Sequence, residues 1–564
     1  MFFSPITERS FSIRFFYAAL YLVLSLLGLT MVVPLLVMLS GSVEPGNRAS
    51  GFNVFPTYLM SDKVLWNRYV FAKYRGQYAL LQMSWDDPLA DIMSPRPPAH
   101  AADDLSLWNQ FIEHIEVDEF LVSPGFSSAG AEVPSYYNRK FQSYLETRFD
   151  SIASLNEILK TNFSSFIRIN PPPVSLTGPN LERSPLLNHF LEFSADDIPL
   201  RDKFVWNAGA FYRAVFLPQT LGPDIGAYNQ KYGTNYSSYH EVPFPSTVPE
   251  VGVESWSVFV TQILRPNFIA LTEKGKRHLA ESQRNFNQFV RSSADPSDLQ
   301  VRTLDCLFQD WSLEQYGVAD ARIPAYALDQ MAFSKDRGLW RFRLLTQNYL
   351  FVLDEILLHG HAMTNTLILV ALMVGGALVI NPLAAYALSR FRMRQTYFIL
   401  LFFLSTIAFP SEVTMIPVFL QLKDFHLLNT FGALVLPTLA NGFSIFLLKG
   451  FFDSLPKELY EAAELDGASE WTMFWLICMN LSKPILAVIG LNAFVVAYST
   501  FFYALILAPD PAMWTIMVYV YQLQQNAGSA VVYTSLIITA VPTLLIFIFC
   551  QNIILRGIVV PSEK

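Results

Sequence analysis

The residues that most clearly suggest a function lie in one segment, Asp453 to Glu470. Apolar residues recur there at the i, i+4, i+7 and i+8 spacing of one helix face, which carries Leu455, Leu459, Ala462 and Ala463. The opposite side carries Glu458, Glu461 and Glu464. Asp466 and Gly467 can end such a helix. Two adjacent alanines would let a partner backbone approach closely, so the segment suits protein docking; the alternative is a surface helix lying on the protein's own membrane face.

The surrounding sequence has the composition of a membrane protein. Of its 564 residues, 52% are hydrophobic and 15% are charged. The net charge of −8 argues against a basic nucleic-acid-binding protein, and three cysteines argue against a disulfide-stapled scaffold. Residues 1–43 and 363–564 together hold eleven acidic and eleven basic residues, whereas 44–362 hold 36 acidic and 28 basic ones. This charge distribution predicts a neutral membrane part with a mildly acidic soluble domain inserted in it.

Six segments are apolar and long enough to cross a hydrocarbon core, which needs about 20 residues. They are Phe15–Gly41, Thr364–Leu388, Tyr397–Leu420, Thr430–Leu448, Phe474–Tyr498 and Val531–Ile554. The first is too long for a cleavable signal peptide, so we expect an uncleaved anchor. The predicted fold class is an all-α polytopic membrane protein with six transmembrane helices and a mixed α/β or α+β insert domain.

The distribution of lysine and arginine predicts the orientation of the spans, because these residues concentrate in short cytoplasmic loops. They precede the first span, lie between spans two and three, flank the next loop on that side and follow span six. The opposite short loops offer only Lys423. We therefore expect both termini to be cytoplasmic and residues 44–362 to be extracytoplasmic.

Several motifs resemble a known family. Glu461-Ala462-Ala463, followed by Gly467 and Ile477, resembles the EAA loop of binding-protein-dependent ABC transporter permeases. The sugar-permease branch, the smaller subunit of maltose-type importers, is resembled by further stretches: Asn348-Tyr349, Asn365-Thr366-Leu367, Ala384–Phe391 and Leu428-Asn429-Thr430. The family's Leu-Pro after the loop is Met479-Asn480 here, and its Trp-Asn-Asp/Glu-Phe signature is Tyr498-Ser499-Thr500-Phe501.

The resemblance implies a type I importer permease of the inner membrane, working with a second permease subunit, two cytoplasmic ATPase subunits and an extracytoplasmic solute-binding protein. The coupling loop 453–471 would dock on an ATPase subunit, with Leu459, Glu461, Ala462, Ala463, Asp466 and Gly467 carrying the coupling. No G-x-x-x-x-G-K-[ST] phosphate loop occurs in the sequence, so we expect no ATPase site in this chain. ATP and Mg²⁺ would be used by the partner subunits, and no cofactor or metal is expected here.

Polar residues in the spans are candidates for the translocation path. Glu412 is the acidic residue well inside a predicted span, and intramembrane carboxylates usually face a cavity or a partner. The alternatives are a structural hydrogen bond to another subunit and a position near the outer membrane interface. Asn441, Tyr498 and Thr500 complete the candidate set, although membrane asparagines also join helices. His359-Gly-His361 has two histidines without a third ligand, which is a weak metal pattern.

The predicted domains are 1–43, with the first span; 44–345, the extracytoplasmic insert; and 346–564, the permease core. Within the insert, 104–119 and 270–291 are expected to be helical, and the Pro-rich runs 171–175 and 243–248 extended. Residues 155–166 align without gaps to 228–239, 73 positions later, which predicts a duplicated unit. Two other functions stay open at this stage: a receptor that senses ligand through the insert, and a tethered glycan-processing protein.

Overall fold

The computed structural model describes residues 11–44, 55–98, 104–127, 135–172, 174–282, 284–357, 361–391, 394–407 and 410–557. The chain forms two compact units. The first, here called the membrane unit, comprises Met1–Phe55 and Asn348–Lys564. The second, here called the insert unit, is Pro56–Gln347.

The membrane unit is helical in its described residues. Its α-helices are Phe11–Ser42, Ala362–Arg390, Thr396–Ile407, Ser411–Asp424, Phe431–Val435, Gly442–Asp453, Lys457–Leu465, Glu470–Thr472, Met479–Leu481, Lys483–Tyr498, Phe502–Leu507, Ile516–Asn526 and Ser529–Gly557. Leu436–Thr438 and Pro511–Met513 are 3-10 turns, and Met473–Cys478 is a π-helix. Ala362–Arg390 is central, because it packs against both Gly442–Asp453 and Lys483–Tyr498.

Three helices in the described residues are long and apolar enough to cross a membrane: Phe15–Ser42, Ala362–Arg390 and Ser529–Gln551. They coincide with the first, second and sixth predicted spans. The most apolar window of Phe15–Ser42 has no residue buried within the chain, as expected for a helix that faces lipid or another subunit. The count rises to five if each of two bent helix pairs is one span, so six spans stay a prediction.

The predicted spans three, four and five are broken in the structure. Predicted span three is divided between Thr396–Ile407 and Ser411–Asp424, and Pro410 stands at the N-cap of the second helix. Predicted span four is bent by 47° before Gly442–Asp453, and predicted span five by 82° before Lys483–Tyr498. A proline lies at or near each break, because proline lacks the N–H that a continuous helix needs and clashes with the preceding turn.

The insert unit is built mainly from short helices. Its α-helices are Thr57–Met60, Asp62–Lys73, Tyr78–Trp85, Leu105–His114, Tyr136–Arg148, Ile152–Leu159, Pro185–Asp197, Ala208–Phe211, Leu217–Leu221, Gly226–Tyr232, Val253–Val258, Glu273–Ser282, Phe286–Ser292, Leu304–Tyr316 and Ala325–Leu357, the last of which is kinked at Asp336. Tyr212–Phe216 and Phe259–Ile263 are π-helical. The 3-10 turns are Phe166–Arg168, Leu200–Asp202, Tyr239–Glu241, Pro266–Phe268 and Pro296–Asp298.

Strands are a minor part of the insert unit. Val122–Pro124 pairs antiparallel with Lys203–Val205, and Ile269–Leu271 pairs antiparallel with Leu299–Val301. The sequence prediction of a mixed α/β or α+β insert therefore overstated the strand content of the described residues. The described residues of the Pro-rich runs 171–175 and 243–248 form no strand. Proline removes a hydrogen-bond donor from any ladder, which accounts for their irregular backbone.

The sequence repeat corresponds to a repeated turn at the end of a helix. Asn156 donates from Nδ2 to the Phe163 carbonyl (2.8 Å), and its Oδ1 accepts from the Thr161 hydroxyl (2.9 Å). Asn229 donates to the Tyr236 carbonyl (2.8 Å) and accepts from Thr234 (2.8 Å) in the same way. Each asparagine thus holds the segment that follows its helix by hydrogen bonds. The asparagine and threonine of the repeat are explained by the need to give backbone groups a hydrogen-bond partner.

The structure adds a third copy of this turn that the sequence alignment does not contain. Asp86, Lys160 and Gly233 are left-handed C-cap residues, with φ of 51°, 54° and 68°, and lie 74 and 73 positions apart. In the first copy Gln82 takes the asparagine's place and donates from Nε2 to the Pro88 carbonyl (2.7 Å). Each turn is followed by a helix and then a strand, so the first three strands end three related segments.

Substituting the turn asparagines tests this assignment. We expect Asn156→Ala and Asn229→Ala each to lower the free energy of unfolding by about 1–3 kcal/mol, because each leaves backbone and threonine groups without their partner. The exposed neighbour substitution Gln230→Ala should change it by less than about 0.5 kcal/mol. Urea denaturation followed by tryptophan fluorescence measures the difference, since seven of the ten tryptophans lie in residues 44–345. Wild-type stability of both asparagine variants would contradict the structural role of the turn.

Candidate functional site

The predicted docking helix is present and has defined ends. It runs from Lys457 to Leu465, with Pro456 at its N-cap. At the other end Gly467 has φ of +78°, the Gly467 amide donates to the Glu464 carbonyl (3.0 Å) and the Ala468 amide donates to the Ala463 carbonyl (2.9 Å). These two bonds form a Schellman motif, which satisfies carbonyls that a helix end leaves free. Glycine suits position 467 because of its backbone conformation, since a Cβ there would meet no atom within 4 Å.

The helix presents two different faces. Tyr460 is buried, and Ala463 and Leu455 are partly buried against the cluster that contains Phe474 and Cys478. The predicted apolar face is therefore divided, because its other two members, Leu459 and Ala462, are exposed. One face of the helix lies on the protein's own core and another is exposed, and the docking role stays a prediction.

The free face combines apolar and acidic side chains. Leu459, Ala462 and Leu465 recur every three residues, with Leu459 42% and Leu465 90% exposed. Glu461 is also exposed. An exposed leucine on a short helix beside alanine and a carboxylate offers a small surface into which a groove of another protein can fit.

An ion-pair cluster attaches this helix to the C-terminal end of the Ala362–Arg390 helix. Arg390 pairs with Glu464 on the docking helix and, at 3.5 Å from Nε to Oε1, with Glu470 just after it. The Arg390 guanidinium also lies 5.2 Å from the centre of the Tyr460 ring. Tyr386 donates its hydroxyl proton to Glu470 (2.7 Å). We call Tyr386, Arg390, Glu464 and Glu470 the latch.

A second attachment joins the same helix end to the start of the loop. Ser389 donates to the Asp453 carboxylate (2.6 Å), which also pairs with Lys449 one turn earlier. The latch carboxylates are 50% and 44% exposed, so each ion pair separately is worth no more than about 1 kcal/mol. Their joint effect is geometric: both flanks of the docking helix are held by one transmembrane helix.

The latch was not predicted from the sequence, although the sequence contains signals for it. Tyr386, Ser389 and Arg390 lie in the Ala384–Phe391 motif that carried the family resemblance, and Glu464 and Glu470 lie in the coupling loop. Spacing within either segment says nothing about the other. Three polar side chains grouped at the C-terminal end of an apolar helix were nevertheless a signal, because such groups require partners.

The four candidates for the translocation path occupy different structural settings. Glu412 lies in the Ser411–Asp424 helix, but its side chain is outside what the structure describes. Asn441 caps the Gly442–Asp453 helix by accepting from the Ser444 amide (2.9 Å). Tyr498 is buried and donates to the Thr539 carbonyl (2.9 Å), and Thr500 donates to the Val496 carbonyl (2.7 Å). The three described side chains thus bond to backbone groups rather than to one another.

Within the described residues, no group of three or more His, Cys, Asp or Glu side chains is arranged to hold a metal ion. Of the predicted weak pattern, His361 precedes the Ala362–Arg390 helix, and His359 lies outside the described residues.

Comparison with known proteins agrees with the resemblance. The family model described as "Binding-protein-dependent transport system inner membrane component" matches residues 380–559. The sn-glycerol-3-phosphate transport system permease protein UgpE of Yersinia pestis is 29% identical over 211 residues, which cover 36% of this chain and 74% of that protein. The probable ABC transporter permease protein YurM of Bacillus subtilis is 33% identical over 206 residues, covering 36% of this chain and 68% of that protein.

Two further matches complete the comparison. A putative ABC transporter permease protein, ORF2 of Caldicellulosiruptor, is 30% identical over 204 residues, covering 36% of this chain and 74% of that protein. A solved structure of a bacterial ABC transporter involved in the import of the acidic polysaccharide alginate matches 34% of this chain, with 25% sequence identity and a TM-score of 0.31. By its sequence relatives, the chain belongs to the family of binding-protein-dependent transport system inner membrane components, the permeases of ABC transporters.

Proposed function

We propose that this chain is one of two permease subunits of an ATP-driven importer for a carbohydrate. Two cytoplasmic ATPase subunits would bind and hydrolyse ATP with Mg²⁺, and a solute-binding protein would deliver the substrate from outside. The chain itself would hydrolyse nothing, since it would supply the pathway through the membrane and the surface on which an ATPase subunit pulls.

One observation carries the proposal: the docking helix is fixed to its own chain on one side and free on the other. Tyr460, Ala463 and the latch hold the inner side, while Leu459, Ala462 and Leu465 stay exposed. A helix that only covered the membrane face would be expected to bury its leucines rather than expose them. Force applied to the exposed face would be transmitted through Glu464 and Glu470 to Arg390, and so to a transmembrane helix.

The carbohydrate class is supported by motifs that resemble the sugar-permease branch. In the membrane unit, residues of one such motif make structural hydrogen bonds. Asn365 donates to the carbonyls of Ala512 (2.8 Å) and Trp514 (3.1 Å), and the neighbouring Thr366 hydroxyl accepts from the Ile516 amide (2.8 Å). These bonds explain why the motif residues suit the fold. For the pathway itself we retain Glu412, Asn441, Tyr498 and Thr500 as candidates, with Glu412 foremost because a carboxylate inside a predicted span usually faces a cavity or a partner.

The proposed topology places both termini in the cytoplasm, residues 44–362 outside, and the docking helix inside. The lysine and arginine distribution supports it. In this topology the insert is a platform on which the solute-binding protein or the partner permease's outer loops could rest.

A photo-crosslinking residue at position 465 tests ATPase docking. We expect Leu465 replaced by a photo-reactive amino acid to capture a cytoplasmic ATPase subunit, identified by mass spectrometry, because this side chain is 90% exposed on the free face. The same replacement at Leu89, which is 87% exposed in the insert unit, is the matched control and should capture none. Recovery of no ATPase from position 465 in cells that take up the substrate would refute the docking role.

Loss of coupling is tested separately by the double variant Glu461→Lys/Gly467→Pro. It reverses a charge on the free face and places a proline where the backbone has φ of +78°, which proline cannot adopt. We expect substrate uptake to fall at least about tenfold, the loss of roughly 1.4 kcal/mol of productive interaction, with unchanged membrane insertion. Glu157→Lys, on an exposed helix position in the insert unit, is the charge control. Wild-type uptake by the double variant would exclude the assigned role.

The latch predicts a different defect. Arg390→Gln should leave the ATPase subunits bound but lower the uptake per ATP hydrolysed, because the docking helix loses its attachment to the transmembrane helix. Glu464→Gln should lower it in the same way, and the two changes should be less than additive, as residues in one network are. Lys483→Gln, at an exposed position, is the control. Full additivity of the two losses would show that Arg390 and Glu464 act independently.

Impermeant thiol labelling tests the topology. In a variant without Cys306, Cys478 and Cys550, we expect Leu89→Cys to react in intact cells and Leu465→Cys to react only after the membrane is opened. Both side chains are nearly fully exposed, so access to solvent does not bias the comparison. The reverse pattern would invert the orientation, and equal labelling in intact cells would place both segments on one side.

A further inference from the structure

The insert unit contains a cavity of about 510 Å³ that the transport proposal does not use. Its volume lies within the roughly 300–1,000 Å³ typical of small-molecule sites. Apolar walls come from Trp108, Phe204 and Ile323, all buried. Buried polar side chains also line it, with exposures of 3% for Lys73 and 6% for Lys203. Such a combination, an apolar body with a few convergent polar groups, is the usual composition of a ligand site.

The cavity's buried carboxylate, Asp329, already accepts three hydrogen bonds. Asp329 accepts from the Lys73 ammonium (2.6 Å), the Tyr74 hydroxyl (2.6 Å) and the Trp85 indole (2.9 Å). Lys73 donates a second proton to the Arg201 carbonyl (2.9 Å). An ammonium group has three donors, so Lys73 retains one that makes no hydrogen bond within the described part of the chain. Asp329 therefore holds the lysine in place and offers little to a ligand.

Lys203 and Asn207 add further donors. Lys203 donates to Glu119 (2.5 Å), whose other oxygen accepts from the Ser194 hydroxyl, and this leaves two ammonium protons without an acceptor among the described residues. Asn207 uses its oxygen to cap the Ala210 amide (2.8 Å), and its NH₂ group donates to no described residue. Burial lowers the pKa of Lys203 although Glu119 opposes the shift, so the site would gain from a second acceptor.

The mouth of the cavity is also rich in donors. Arg201, 42% exposed, and the exposed Lys335 lie there, with Glu113 as the acidic counterpart. Arg201 pairs with Asp336 (3.1 Å), and Glu119 pairs with Lys203, so each of these basic side chains already has an acidic partner. The interior consequently presents N–H groups without a strong net charge. Charged N–H donors bind carboxylate oxygens more strongly than neutral acceptors.

We propose that this cavity is a binding site for a small carboxylated sugar, whose carboxylate accepts from Lys73, Lys203 and Asn207 and is attracted by the positive charges of Arg201 and Lys335 at the mouth, while its ring lies against Trp108 and Phe204. The choice of a sugar rests on the proposed transport function, whereas the carboxylate is inferred from the donors alone. Occupation of the site would let the insert unit register the substrate class outside the membrane.

Titration of the purified full chain in detergent with glucuronate tests the proposal, followed by calorimetry or tryptophan fluorescence. We expect saturable binding at least about tenfold tighter than that of glucose, because hydrogen bonds to a charged group are stronger than those between neutral groups. Glucose 6-phosphate distinguishes the anion. Binding of glucose as tight as that of glucuronate, tighter binding of the phosphate, or no binding of glucuronate would each overturn the assignment.

Two mouth residues locate the binding site without disturbing the buried pairs. Arg201→Gln/Lys335→Gln should weaken glucuronate binding about tenfold while leaving the unfolding transition of the ligand-free protein close to wild type. Lys276→Gln, an exposed lysine outside the cavity lining, should bind as the wild type does. Unchanged affinity of the double variant would overturn the site. Substrate uptake by cells is measured separately from glucuronate binding to the purified chain. Uptake without glucuronate binding refutes this proposal alone. Glucuronate binding without uptake refutes only the transport function.

Discussion

The membrane unit depends on one constraint: where an apolar helix ends or breaks, its freed backbone groups must be satisfied by the protein, because lipid offers no partner. Asn348 meets it at the end of the first helix, where its amide donates to the carbonyls of Ser42 (2.7 Å) and Glu44 (3.0 Å). Thr534 donates to the same Ser42 carbonyl (2.9 Å). Three distant segments are thereby joined through one helix end.

The same constraint accounts for the break before Gly442–Asp453. The buried Asn381 accepts from the Asn441 amide (2.9 Å), while Asn441 caps the new helix through its own side chain. Asn381 also bonds within its helix to the Ala377 carbonyl (3.1 Å). Both asparagines thus act as helix-joining residues, which was one of the two roles open to membrane asparagines from the sequence. The bent span is held in register with Ala362–Arg390, the helix that carries the latch at its C-terminal end.

The sequence predicted the parts of the fold that follow from composition. A long uninterrupted apolar run identifies the helices Phe15–Ser42, Ala362–Arg390 and Ser529–Gln551, because only a spanning segment needs that length. Composition does not report where a helix breaks, so the 82° bend before Lys483–Tyr498 was missed. The third copy of the insert turn was missed for a similar reason. Gln82 makes one of the hydrogen bonds that Asn156 makes, but the sequence around it differs.

The same distinction applies to the candidate site. Some of its features depend on one segment of the sequence, and others depend on a contact between two segments. The ends of the docking helix are local, so Asp466-Gly467 could be predicted as its terminus. Which face is buried depends on Tyr460 meeting Phe474, Cys478 and Arg390, and no periodicity within nine residues specifies that contact. Burying Ala463 while leaving Ala462 exposed gives the adjacent alanines opposite roles: one lets the helix lie close to its own chain, and the other leaves room for a second protein. In the proposed docking role the helix would both receive and transmit force, which needs one exposed face and one attached face, and the helix has both within three turns.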